Sequence, residues 1–80
     1  MFVNLLECID KIEKLDALIR YENTGKPNEL AAELNLSERH VYRLIGFMKN
    51  MGAEIIYCRY KQTYKYVNPV KFTFGFEKVV

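Results

Sequence analysis

Arg39, Arg43, Gly46 and Asn50 recur at intervals of three or four residues, the spacing that aligns positions along one face of a helix. Arginine can donate two parallel hydrogen bonds to the major-groove edge of guanine, and asparagine can pair in the same way with adenine. Each good pair discriminates between bases by roughly 1–3 kcal/mol. Glycine in mid-helix costs about 1 kcal/mol relative to alanine, and a merely solvated face gives no reason to accept it. The missing side chain at Gly46 would let a DNA backbone or a base edge come close. The other reading of these positions is an ordinary solvated face, on which Arg and Asn are common.

To act together these residues need a helix, and their neighbours provide one. Val41, Leu44, Ile45 and Met48 fall on the opposite side at about 100° per residue. Ser37 is placed to cap the helix at its start and Gly52 to end it, which predicts a recognition helix over 38–51. Before it, Pro27 suits the first position of a short helix over 27–34, and Asn35-Leu36 makes the turn between the two. Phe2, Leu5, Leu6, Ile9, Ile12, Asp16 and Ile19, widened by Leu15 and Leu18, predict a first helix over 4–21 with the whole stripe in the core. Asn23-Thr24-Gly25-Lys26 breaks the pattern with turn formers.

After Gly52, Glu54 to Tyr60 and Tyr64 to Val67 are rich in β-branched and aromatic residues. They read as an antiparallel hairpin over 53–67, turning at Lys61-Gln62-Thr63. Arg59, Lys61 and Lys65 interleaved with tyrosines could touch phosphates beside helix three. Alternatively the tyrosines close the core and the lysines keep the edge soluble. Beyond Asn68-Pro69, the alternation of Val70, Phe72, Phe74 and Phe76 predicts an extra C-terminal strand over 70–76 with one apolar face. That face packs on helix one or meets a second copy to form a homodimer. Phe47, at the margin of the apolar stripe of helix three, is partly exposed unless something covers it and is a second candidate interface.

Eighty residues, half of them hydrophobic, suit one small folded domain. The net charge of +2 conceals an asymmetry. Residues 1–34 carry seven acids against four bases, and residues 35–71 carry seven bases against two acids, so one surface of the molecule could be cationic. Cys8 and Cys58 have no second Cys or His at metal-ligand spacing and read as reduced structural thiols. One histidine and no nucleophile–base, paired-carboxylate or phosphate-loop arrangement leave neither an enzyme nor a cofactor or metal to expect. No apolar run is long enough for a membrane span, and the N-terminal residues lack the basic start of a secretory signal, so a cytoplasmic protein is expected.

In Glu29-Leu30-Ala31, Leu34, Leu36-Ser37, Arg39, Val41-Tyr42-Arg43, Ile45, Met48, Gly52, Ile55 and Tyr57, with Tyr64 and Tyr66, the chain resembles the winged helix-turn-helix domains at the N-termini of DeoR-type and WYL-domain transcriptional regulators. The resemblance spans roughly residues 9–67. It implies a mainly α fold of three helices with a small antiparallel β-sheet, the hairpin serving as the wing. It also implies groove or phosphate contact by Ser37, Arg39, His40, Tyr42 and Arg43. Leu44, Glu38 and Thr63 depart from the family pattern, which usually has Asp, a base and a wing glycine there. Family members generally continue into a ligand-sensing domain, and no small-molecule effector domain is expected in these eighty residues.

The expectation is therefore a transcriptional regulator or accessory factor that binds double-stranded DNA with helix three in the major groove. Arg39 and Arg43 would contact the groove beside Gly46 and Asn50, Ser37, Tyr42 and Lys49 would hold phosphates, and Arg59, Lys61 and Lys65 would act from the wing. The alternative is a protein-interaction module of the same fold, docking or dimerising through Phe47, Phe72, Phe74 and Phe76.

Overall fold

A computed structural model describes residues 5–73 together with Phe76 and Val79. It shows three helices and a two-stranded sheet in the order α1 (Leu5–Arg20), α2 (Pro27–Leu34), α3 (Glu38–Asn50), β1 (Ile55–Cys58) and β2 (Thr63–Tyr66). The layout is mainly helical and consistent with a winged helix. Each element contributes to one core, whose fully buried members include Leu15, Ile19, Leu30, Leu34 and Val41.

The helix ends are closed by local chemistry. At the start of α2 the Glu29 carboxylate accepts from the Lys26 amide at 2.9 Å, with Pro27 in the first turn, where its missing N–H has no helical partner to lose. At its end Asn35 takes the left-handed conformation, φ 56°, which asparagine tolerates better than most residues. The Asn35 amide then donates to the Ala32 carbonyl and the Leu36 amide to that of Ala31, so the chain reverses in two residues. Lys11 Nζ donates to the Leu34 carbonyl at 2.6 Å, placing a cation at the negative end of α2 and pinning it to α1. Ser37 Oγ accepts from the His40 amide at 3.1 Å and opens α3. Gly52, at φ 106°, closes α3 in a conformation that a side chain would strain. Its amide donates to Lys49 and that of Ala53 to Met48, the paired bonds of a Schellman stop.

In the hairpin Ile55 lies opposite Tyr66 and Tyr57 opposite Tyr64, so these four side chains share the core face and Ile56 and Lys65 the other. The turn occupies residues 59–62, with Gln62 at φ 52°, and Thr63 belongs to β2. The expected turn at 61–63 is corrected accordingly. The reason is distant in sequence. Thr63 is buried, its hydroxyl accepts from the Thr24 amide at 3.1 Å, and the Thr24 hydroxyl accepts from the Tyr64 amide at 2.8 Å. Antiparallel strands leave every second amide pointing away from the partner strand, and here one threonine side chain takes up such an amide where a third strand could have lain.

Two other expectations are corrected. The stripe of α1 is not all core: Leu5 and Leu6 are more than 70% exposed, and the fully buried positions of the helix begin at Ile12. Residues 70–73 form no strand. The Phe72 amide donates instead to Asp16 Oδ1 at 3.1 Å, and the half-buried Phe72 ring packs on the domain's own core, which removes it from the proposed partner face. Phe76 is fully exposed. Phe74 lies outside the described residues.

Asp16, at a core position of α1, is 2% exposed. Its Oδ1 also accepts from the Tyr66 hydroxyl at 2.6 Å, and its Oδ2 from Arg20 Nε at 2.9 Å. A buried carboxylate is tolerated when its lone pairs are filled in this way. The arrangement joins α1, β2 and the segment after β2 through one side chain. Burial, and then the hydrogen bond that only a neutral phenol can donate to Asp16, push the Tyr66 hydroxyl well above its ordinary pKa.

Candidate functional site

Helix α3 displays two unlike faces. Val41, Ile45 and Met48 are buried and Leu44 half-buried, which fixes the rotation of the helix on the core. Arg39, Arg43 and Asn50 are therefore exposed on the far side, with Gly46 half-buried among them. A Cβ placed on Gly46 would meet no atom within 4 Å. Among the described residues nothing crowds that position.

Electrostatically this face is unspent. The ion pairs among the described residues are Lys14–Asp10, Arg20–Asp16 and Lys61–Glu22, and none involves Arg39, Arg43, Lys49, Arg59 or Lys65. Ser37, His40, Tyr42 and Lys49 are exposed as well. His40 Nδ1 lies 3.5 Å from Ser37 Oγ, so the cap and the imidazole form one polar cluster at the start of α3.

Tyr42 leads from α3 to the wing. Tyr57 and Tyr64 meet edge-on, centroids 5.0 Å apart, and the Tyr64 hydroxyl is raised from its ordinary pKa chiefly by burial. Smaller contributions come from Tyr42, Tyr57 and Glu38, which places the first turn of α3 beside the hairpin. On the wing Arg59 is exposed, while Lys65 is half-buried. Lys61 reaches back to Glu22 at 3.2 Å, a surface pair that salt screens and that contributes little. Glu22 itself follows α1 at φ 52°. Nothing in the sequence around Lys61 announces that tie, because its partner is 39 residues away.

Phe47 is 52% exposed on the flank of α3, Phe72 belongs to the core, and Phe76 projects from the C-terminal segment. No group of His, Cys, Asp and Glu among the described residues could hold a metal ion. No helix among them is long and apolar enough to cross a membrane. The residue that sequence reasoning passed over is Asp16, whose signal was an acid standing at a core position.

No family model, curated protein or solved structure matches this chain.

Proposed function

We propose that this protein binds double-stranded DNA with α3 in the major groove and the hairpin beside it, as a small transcriptional regulator or accessory DNA-binding factor of the cytoplasm. One observation carries the reading: an exposed helix face presents Arg39, Arg43 and Asn50, the two arginines in no ion pair among the described residues, around a glycine that no described residue crowds. An α-helix fits the major groove, and these side chains match the hydrogen-bonding edges displayed there. The exposed cap of α3 and Lys49 supply phosphate contacts that fix orientation, with Arg59 adding one from the wing.

The test is fluorescence anisotropy of a labelled mixed-sequence duplex titrated at about 50 and 200 mM salt, a range over which several phosphate contacts lose orders of magnitude in affinity. Steeply salt-dependent binding that Arg43→Ala weakens supports the reading. Absence of binding at the lower salt by folded protein overturns it and favours protein docking through Phe47, since an apolar contact is almost indifferent to salt.

A further inference from the structure

Phe47 is one turn beyond Arg43 on α3, displaced from it by about 40° around the helix axis, and it directly follows Gly46. Phe47 is 52% exposed, one of several large apolar side chains at the surface of this small domain, with Met51, one turn further along, exposed at 56%. The buried side of α3 is already filled by Val41, Ile45 and Met48, so the ring has no place there. Beside it lie a cation able to grip guanine and open space over a glycine. An apolar side chain in that setting matches the one apolar feature of the major groove, the 5-methyl group of thymine.

We propose that Phe47 is a specificity-determining residue that reads thymine, its ring packing on the 5-methyl group next to the base pair that Arg43 contacts. This rests on the DNA-binding reading above and deepens it. Arg43 selects a base by hydrogen bonds, and Phe47 selects its neighbour by shape and by removal of a methyl group from water. Gly46 supplies the room for both bases to approach the helix.

The experiment uses the tightest-binding duplex that the wild-type protein retains from a randomised pool, synthesised once with thymidine and once with deoxyuridine, which differs only in lacking the methyl group. Wild-type protein is expected to bind the deoxyuridine duplex about fourfold more weakly for each methyl in contact, the factor that burial of one such group gives. Phe47→Ala is expected to bind the two duplexes equally. Equal wild-type affinity for both overturns the proposal, as does a thymidine preference that Phe47→Ala keeps in full. The first comparison needs no variant, so it stands whether or not Phe47→Ala folds. A pool from which nothing is retained at low salt overturns the DNA-binding reading itself, and a duplex retained without methyl dependence overturns only the role of Phe47.

Discussion

Replacing Gly46 with alanine separates what the fold needs from what a partner needs. The added Cβ meets no atom within 4 Å and the residue lies inside α3, so the variant gains the helix preference of alanine without a clash. That gain is about 1 kcal/mol, which in a domain of this size raises Tm by roughly 4–8 °C. In the proposed DNA complex the same methyl would stand where the groove comes close to the helix. Forcing an extra methyl into a packed contact costs about 1–3 kcal/mol, a loss of about fivefold to a hundredfold in affinity. Stability and binding should therefore move in opposite directions, read by thermal unfolding at 222 nm and by anisotropy on the retained duplex. A stabilised variant with unchanged affinity would refute the assignment of Gly46 as a point of close approach. A destabilised one would refute the packing around it.

Other substitutions test the remaining parts. Arg39→Ala and Arg43→Ala should each weaken binding by about 1–3 kcal/mol where they pair with a base, or lower the salt slope by about one where they meet a phosphate, with no change in the unfolding midpoint. Thr63→Val keeps the shape but leaves the buried Thr24 amide without its acceptor. It should cost about 1–3 kcal/mol in urea unfolding, and an unchanged midpoint would show that the contact contributes nothing. The raised pKa of Tyr66 has a definite sign. Above the ordinary tyrosine value near 10 the unfolded chain loses that proton before the folded one does, so alkali favours unfolding and stability falls as pH rises beyond 10. Tyr66→Phe should be less stable at neutral pH by up to about 1.5–3 kcal/mol, the range for a hydrogen bond to a charged group. It should also show a shallower alkaline decline, and identical slopes for variant and wild type would count against the linkage.

Legibility in the sequence followed the distance over which each decision is made. Helix α2 coincides with the expected 27–34, and α3 ends one residue before the expected 51, because Pro27, Ser37 and Gly52 act within a turn of where they stand. The outward face of α3 was legible for the same reason, since periodicity decides which residues the core leaves outside. The hairpin turn was displaced because Thr63 is fixed by Thr24, and no local pattern reports a partner in the loop before α2. Over residues 70–73 the alternation met the side-chain requirement for a strand but not the backbone one: the Phe72 amide is taken by Asp16, not by a neighbouring strand. The exposed start of α1 shows the converse limit, as an apolar stripe says which face is suited to burial and not how far the cover extends.

The threonine pair at residues 24 and 63 also gives this domain a private clock. The amides of Thr24 and Tyr64 are each held by a hydroxyl across the joint between the hairpin and the helices, whereas the ladder between β1 and β2 belongs to the hairpin alone. Hydrogen exchange at those two amides therefore times the hairpin lifting off the helices, and exchange within the ladder times the hairpin coming apart. That joint spans about forty residues of chain, so exchange at these two amides reports on a tie between parts of the domain that are far apart in sequence.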